Sequence, residues 1–320
     1  MIPRKTYNLT FSIFLLFIAL TSCKKINPEL AATLSTRIGH ELSFENSELL
    51  PPKPLSSEFK GYWYAGDAEI SSYALEQARY GELRKGTAVM IYVTEPFLPE
   101  KQVKAERNSS ENISVLKLNA TKNFVTGIYP YSIMSSTFFP VYDNQHALKI
   151  SSSIQEWCGH VYTQLNNKNS FEVKSHSYFE KEGDQDLSIE KTHLENEFWT
   201  RIRLHPEDLP VGTLKVIPSL EYLRLAHQPI KAYKAEASLQ NDKEIITYIV
   251  SYPDLKRTLK INFSASFPYG IESWTDSYPS GFGPDSEILT TKAIKIKTLN
   301  TPYWRLNGNE NVSLRDTLGI

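Results

Sequence analysis

The chain of 320 residues carries 35 Lys and Arg against 36 Asp and Glu, so its formal net charge is -1 at pH 7. Because the charges are balanced and form no long run of one sign, we expect no basic surface that would bind nucleic acid. The two cysteines, Cys23 and Cys158, are too few for a disulfide framework, so the fold must be stable without one.

Residues 1–22 have the layout of a secretory signal peptide, with a short basic segment followed by the apolar run of residues 9–20. That run is shorter than the roughly 20 residues that a membrane-spanning helix needs, and polar residues follow it at once. Residues 20–23 resemble the lipobox of bacterial lipoproteins, in which a cysteine sulfur receives a diacylglyceryl group. We therefore expect cleavage before Cys23 and an acyl anchor such as palmitate on it, with a chance cysteine after an ordinary signal as the alternative.

Residues 23–58 are predicted to be a lipidated N-terminus followed by a proline-rich tether. Lys24 and Lys25 stand where an aspartate tends to retain lipoproteins of Gram-negative bacteria at the inner membrane. Residues 24–30 also lack the acidic cluster that often marks surface export in Bacteroidetes. We therefore expect a protein that is lipid-anchored to the cell outer membrane and faces the periplasm.

The body, residues 59–320, consists of aromatic and β-branched segments separated by Gly, Asn, Asp and Pro, a pattern typical of strands. Residues 70–80 fit either a helix or a strand, and we favour a strand because a turn and a strong strand follow. The other predicted strands are residues 59–65, 87–94, 113–121, 161–165, 171–179, 214–225, 230–239, 245–252, 255–265, 270–275 and 291–299.

One internal helix is predicted after Thr192, because Thr192 and Glu195 have the spacing of a capping box and Pro206 ends the apolar helical pattern. Strands joined by short polar links favour antiparallel pairing. The predicted fold is therefore mainly β, a curved antiparallel sheet or an open barrel-like body with one or two short helices. The polar residues 184–191 mark a weak boundary that would divide the body into two sub-parts.

Two pairs of residues are candidates for catalysis. Cys158 and His160 would lie about 7 Å apart on one face of an extended chain, where a protonated histidine favours the thiolate. Asp67 and Glu69 have the same spacing, which is near that of paired carboxyls in glycosidases. The alternatives are a buried structural cysteine and carboxylates on a solvated face. No hydrolase, nucleotide or metal-ligand motif is present, so the sequence predicts no cofactor and no metal, and it favours a protein without enzymatic activity.

Aromatic residues make up 12% of the chain, and most of them should pack the sheet because alternate strand residues face the core. A minority is predicted to line a groove, since exposed rings stack on sugars or hold acyl chains. The candidates for ligand binding are Trp63, Trp274, Tyr278 and Phe282. The carboxylates of Glu272 and Asp276 are expected on the same side of a strand as Trp274.

Residues 66–97, 153–166 and 267–274, the last with the sequence FPYGIESW, resemble a family of uncharacterised Bacteroidetes lipoproteins. Some members are labelled septum formation inhibitor Maf, although the chain lacks the Ser-Pro-Arg-Arg motif with which Maf nucleotide pyrophosphatases begin. The resemblance implies an exported β-rich protein and supplies no catalytic residues. Thr317, between an aspartate and a leucine, also resembles the site at which Bacteroidetes attach O-glycans.

Functions of two classes fit these observations. The favoured one is an outer-membrane-anchored periplasmic lipoprotein that binds a lipid, a glycan or a protein partner of the cell envelope. The alternative is a hydrolase or transferase that acts on envelope polymers through Cys158 and His160 or through Asp67 and Glu69. The sequence predicts no nucleic-acid partner and leaves the oligomeric state open, and a structural subunit of an envelope assembly is a further possibility.

Overall fold

The computed structural model of the chain describes residues 54–107, 109–142, 146–283 and 286–320. The predicted signal peptide, Cys23 and the predicted tether up to residue 53 lie outside the described residues. The described part is mainly β, as the sequence predicts, and its strands form one large sheet that does not close.

The sheet contains sixteen strands within the described residues. In chain order they are β1 (Ala68–Arg79), β2 (Glu82–Leu98), β3 (Val103–Lys104), β4 (Ile113–Thr126), β5 (Tyr129–Pro140), β6 (Lys149–Glu156), β7 (Gly159–Asn167), β8 (Phe171–Ser177), β9 (Gln185–Ile189), β10 (His193–Leu194), β11 (Gly212–Ile217), β12 (Tyr233–Asp242), β13 (Ile245–Tyr252), β14 (Arg257–Ser264), β15 (Ile271–Ser280) and β16 (Glu287–Thr301). Across the sheet the order is β10, β11, β12, β13, β14, β15, β16, β1, β2, β4, β5, β6, β7, β8 and β9, with β3 paired to β2. Every pair is antiparallel except β10 with β11.

The sheet is rolled up, because its two ends are close in the chain. β9 ends at Ile189 and β10 begins at His193, so only residues 190–192 join opposite ends of the sheet. An extended chain advances about 3.3–3.6 Å per residue, so the two ends lie within about 15 Å of each other. The curved sheet therefore encloses an interior, and residues 184–191, the predicted boundary, include its edge strand β9.

Four α-helices accompany the sheet in the described part, namely α1 (Ser57–Trp63), α2 (Glu195–Leu204), α3 (Leu220–Leu225) and α4 (Leu314–Leu318). Nine of the ten residues of α2 are buried, so this helix has no solvent face and lies in the interior. Among the described residues, none of the helices has the length and apolar character that crossing a membrane requires.

The predicted strand at residues 59–65 is wrong, because residues 59–63 belong to α1 and a turn follows. The Ser56 hydroxyl accepts a hydrogen bond from the Phe59 N–H at 3.0 Å and caps the helix. Phe59 and Trp63, four residues apart, lie on one helical face and are both buried. The aromatic density that suggested a strand is the apolar face of a short helix.

The predicted strand at residues 214–225 is also wrong in its second half. Strand β11 ends at Ile217, and the Ser219 hydroxyl accepts from the Tyr222 N–H at 3.2 Å to begin α3. The strand prediction for residues 70–80 is confirmed by β1, and the internal helix is confirmed by α2. The N-terminus of α2 differs from the prediction, since the Thr192 hydroxyl donates to the Lys215 carbonyl at 2.7 Å.

A buried carboxylate connects the first turn of α2 to residues 146 and 147. The Glu197 carboxylate accepts from His146 Nδ1 at 3.1 Å and from the Ala147 N–H at 2.9 Å. Burial alone would raise the pKa of Glu197, but Arg201 and His146 outweigh it and lower the pKa to about 2. Burial lowers the pKa of the neighbouring His193 to about 4, against the opposing charge of Glu197.

His193 should therefore make the fold less stable below neutral pH. The unfolded chain takes up a proton at His193 below pH about 6.5, whereas the folded chain does so only near pH 4, so stability falls as the pH drops between these values. We expect a loss of about 2 kcal/mol at pH 5 relative to pH 7, absent in His193→Gln. Urea unfolding at both pH values measures it, with the exposed His176→Gln as control. An equal pH dependence in His193→Gln would exclude His193 as the cause.

Candidate functional site

The interior contains a cavity between α2, α3 and the inner face of the sheet. The cavity has a volume of about 70 Å³. Its wall takes side chains from both helices and from strands β1, β2, β4, β5, β14, β15 and β16. The cavity is therefore formed by residues far apart in the chain and exists only in the folded state.

One wall of the cavity is apolar and aromatic. The rings of Trp199 on α2 and Trp274 on β15 lie 5.4 Å apart in an edge-to-face arrangement. Met90, Leu118 and Leu259 extend this surface from three strands. Because small-molecule sites are concave and mostly apolar, with few polar groups, this wall is suited to a ring or an alkyl chain.

Another part of the lining, which we name the polar wall, carries a buried cluster of charges centred on Arg257. Arg257 donates from Nη1 and Nη2 to both carboxylate oxygens of Glu195, at 2.6 and 2.7 Å. Arg257 Nε and Nη2 donate to Asp276 at 2.7 and 2.9 Å. The Tyr252 hydroxyl donates to Glu195 at 2.7 Å, and the guanidinium carbon lies 3.9 Å from the centre of the Tyr222 ring. One arginine thus donates hydrogen bonds to two carboxylates.

The two carboxylates of this cluster differ in their pKa. Burial alone would raise the pKa of Glu195, but Arg257 outweighs it and the pKa is lowered. For Asp276 burial prevails over Arg257, and the pKa is raised. Lys122 and Glu221 also line the cavity and form an ion pair of 2.7 Å. With Arg257, Glu195 and Asp276, the lining then contains three carboxylates and two cations. The polar wall therefore has an excess of negative charge.

A further acceptor in the cavity wall has no partner. Gln77 on β1 is 2% exposed, and its Nε2 donates to the Tyr278 hydroxyl at 2.9 Å and to Thr291 Oγ1 at 3.1 Å. Its Oε1 is buried and accepts no hydrogen bond. Leaving a buried acceptor unpaired costs about 1–3 kcal/mol, so this oxygen favours a ligand that donates a hydrogen bond.

The structure brings together two of the four aromatic candidates for ligand binding. Trp274 and Tyr278 both line the cavity, as does Asp276 from the same strand. Trp63 is buried elsewhere, with its ring centre 5.0 Å from the guanidinium carbon of Arg203. Phe282 is exposed at the turn after β15.

Glu272 does not share the face of Trp274 as predicted. The pairing of β14 with β15 shifts register near Ile271, and Glu272 forms an ion pair with Lys295 instead of lining the cavity. An irregularity of this kind changes which residues alternate toward the interior.

Cys158 and His160 make separate contacts. Cys158 is exposed, so it is not a buried structural cysteine, and its N–H donates to a Glu156 oxygen at 2.6 Å. The hydrogen bond and charge of Glu156 raise the pKa of the Cys158 thiol, which disfavours the thiolate. His160 Nε2 instead lies 3.1 Å from Ser153 Oγ. The histidine that would activate the thiol is thus engaged with another side chain.

Asp67 and Glu69 also differ in their surroundings. Asp67 lies just before β1 and is half-buried. Glu69 is buried and accepts from Arg203 Nη1 and Nη2, both at 2.6 Å, and from the Tyr62 hydroxyl at 2.5 Å. Burial would raise the pKa of Glu69, but Arg203 outweighs it and the pKa is lowered. A carboxylate held in this way lacks the raised pKa of a general acid.

Two surface features bear on the remaining predictions. Thr317 lies on α4 and is exposed, so the predicted glycosylation site is sterically open. His205, Glu207 and Asp208 place one ligand atom each within 4.8 Å of one another, a spacing that a metal ion would accept. Both features lie outside the cavity wall.

No local pattern in the sequence marks the polar wall. The spacing of Glu195 from Thr192 predicts a role in a helix cap, and no motif includes Gln77 or Arg257. Glu195 and Arg257 are 62 residues apart in the chain, so only the topology shows that they meet. Gln77 lies two residues from the apolar Leu75, so both side chains are on the same face of β1. A polar residue at such an inward position is the pattern that could have indicated the polar wall.

Comparison with protein-family models, with curated proteins and with solved structures finds no match to this chain. The evidence for function is therefore the geometry and chemistry of the cavity.

Proposed function

We propose that this chain is a periplasmic lipoprotein, anchored to the outer membrane, that binds a small amphiphilic molecule in the cavity between α2, α3 and the sheet. The observation that carries the proposal is the cavity itself, whose lining combines an apolar surface with an unpaired buried acceptor. In such a site the apolar surface provides most of the affinity for a ligand, and the polar group fixes the orientation of the ligand. The lipidation signal at Cys23 supports the anchor and the compartment.

The polar wall sets the chemistry of the ligand. Gln77 Oε1 needs a hydrogen-bond donor, and the excess of negative charge disfavours an anion in the cavity. An N–H, ammonium or hydroxyl group on the ligand satisfies both conditions. The aromatic pair of Trp199 and Trp274 is suited to the apolar part and adds a favourable surface for a cation.

The proposal assigns no reaction to the cavity. Its carboxylates Glu195 and Asp276 are occupied by the same guanidinium, and Glu221 pairs with Lys122. A hydrolase needs a nucleophile or base that is free to take a proton. Cys158, the reactive residue type predicted from sequence, lies at an exposed turn outside the cavity wall.

Filling the cavity tests the proposal. Ala120 on β4 lines the cavity, so Ala120→Phe places a ring in the space that the ligand would occupy. The probe is indole, which has an apolar ring system, one N–H donor and a size that suits a cavity of about 70 Å³, and we expect it to bind the wild-type chain. In Ala120→Phe we expect binding at least tenfold weaker, since the ring removes the apolar volume.

The matched control is Val125→Phe on the same strand, where the side chain is 51% exposed and faces away from the interior. This variant should bind the probe like the wild type. Probe binding that is equal in Ala120→Phe and Val125→Phe would contradict the proposal, as would a wild-type chain that binds no probe.

A further inference from the structure

A second group of buried cations lies at the end of the sheet where several turns meet. Strands alternate in direction, so the turns after β1, β4, β6, β8 and β15 all lie at the same end. Arg79 is the last residue of β1, and Arg224 belongs to α3. The Arg79 guanidinium contacts the end of the helix that carries Arg224, because Arg79 Nη1 donates to the Leu225 carbonyl at 2.6 Å.

Arg79 is a buried cation without a carboxylate partner in the described part of the chain. It is 8% exposed, and its Nη2 donates to the hydroxyls of Tyr80 and Tyr131 at 3.0 and 3.1 Å. Its Nε is buried and has no hydrogen-bond partner. Buried charges are normally paired, so this group favours an anion.

Arg224 adds a second positive charge beside the first. Its side chain is 9% exposed, and Nη1 donates to Glu182 Oε1 at 2.9 Å. Its Nε is also buried without a partner. Arg79 Nη1 binds the carbonyl of Leu225, the residue that follows Arg224. Burial lowers the pKa of Arg224, and the charge of Arg79 lowers it further. With one carboxylate for two guanidinium groups, the pair has a net positive charge.

Six apolar side chains, which we name the aromatic rim, lie on or beside the turns at this end of the sheet. The rim consists of Ile128, Tyr129, Trp157, Tyr178, Phe179 and Phe282. Phe282 stacks on Tyr80 at 5.4 Å, and Tyr129 lies 6.3 Å from Trp157. Phe179 lies over Arg224, with 4.4 Å from its ring centre to the guanidinium carbon.

Most of the aromatic rim is exposed to solvent. The exposed fractions are 83% for Ile128, 69% for Trp157, 78% for Tyr178 and 71% for Phe282. A soluble surface rarely concentrates such side chains at one end, and contiguous exposed apolar patches mark interaction sites. Trp and Tyr are also the residues that favour the level of lipid headgroups.

We infer that Arg79 and Arg224 bind the phosphate group of an anionic lipid, with the aromatic rim in contact with the lipid around it. The net positive charge of the two guanidinium groups suits a phosphate group, and the rim supplies apolar contacts that a free phosphate would not use. The helix C-terminus alone explains one hydrogen bond of Arg79 but leaves both Nε groups and the net charge unpaired. This site does not depend on the ligand of the cavity.

Calorimetric titration of the full-length chain in a neutral detergent tests the inference, with dihexanoyl phosphatidylglycerol in one arm and inorganic phosphate in the other. We expect the lipid to bind more tightly than phosphate, and phosphate to displace the lipid from the wild-type chain. In Arg79→Gln and Arg224→Gln, lipid affinity should fall at least about tenfold, since each loses a charged hydrogen bond. The exposed Arg315→Gln should bind like the wild type.

The displacement experiment uses the wild-type chain alone, so it holds even if a variant fails to fold. Equal lipid affinity in the wild type, Arg79→Gln and Arg224→Gln would overturn the inference, as would a wild-type chain that binds neither compound. Binding of inorganic phosphate as tightly as the lipid would overturn the assignment of a lipid ligand.

Discussion

Replacing Arg257 with leucine is expected to lower the free energy of unfolding by about 3–5 kcal/mol. Arg257 is 2% exposed and is the shared donor to Glu195 and Asp276, so its removal leaves two buried carboxylates without their cation. The loss is large because each charge remains buried while its compensation is gone. Urea unfolding at pH 7 measures it.

The pH dependence identifies the cause of the Arg257→Leu effect. Without the cation, Glu195 and Asp276 should have raised pKa values in the folded chain, so the folded state binds more protons than the unfolded state. The destabilisation relative to the wild type should therefore shrink as the pH falls from 7 to 5. The exposed Arg315→Leu should change stability by no more than about 0.5 kcal/mol. If Arg257→Leu loses the same free energy of unfolding at pH 7 and at pH 5, the unpaired carboxylates are not the cause of the loss.

Replacing Arg203 with leucine should have a similar effect at the other end of α2, again about 3–5 kcal/mol. Arg203 is fully buried, donates to both oxygens of Glu69, and donates from Nε to the Pro268 carbonyl at 2.8 Å. Its guanidinium carbon also lies 4.6 Å from the centre of the Tyr92 ring. The side chain thus joins α2 to β1 and to the segment before β15.

A double-mutant cycle separates the Arg203 ion pair from lost packing. In Arg203→Leu alone, Glu69 remains buried and, among the described residues, keeps the Tyr62 hydroxyl as its donor, whereas Arg203→Leu with Glu69→Leu removes both charges. The double variant should therefore be more stable than Arg203→Leu alone, with a coupling energy above about 2 kcal/mol. Additive losses in urea unfolding would show that the ion pair contributes little.

The alternation of apolar residues was sufficient to predict most strands, and it failed where interior positions are polar. Strands β5 and β6 were missed because their inward residues include serines. Ser135 and Ser152 are buried, and the Ser135 hydroxyl donates to Ser152 at 3.2 Å. A strand whose inner face carries hydroxyl groups that bond to each other across the sheet loses the apolar alternation on which sequence-based prediction depends.

Part of the aromatic lining could be predicted from sequence, because Trp274 and Tyr278 alternate on one strand and face the same side, whereas Trp199 on α2 meets Trp274 only through the topology. The polar half could not. Gln77 and Arg257 belong to separate strands, and Glu195 reaches them only because the rolled sheet encloses α2. Contacts between residues so distant in the chain depend on topology and not on local pattern.

Native mass spectrometry of the full-length chain, purified in a neutral detergent from the membranes of the cells that make it, tests the cavity most directly. The account predicts a small bound molecule of defined mass on the wild type and on Val125→Phe, and its loss from Ala120→Phe, where the added ring occupies the cavity. The same bound mass on Ala120→Phe, or a wild-type chain that carries none, would contradict ligand binding between α2, α3 and the sheet.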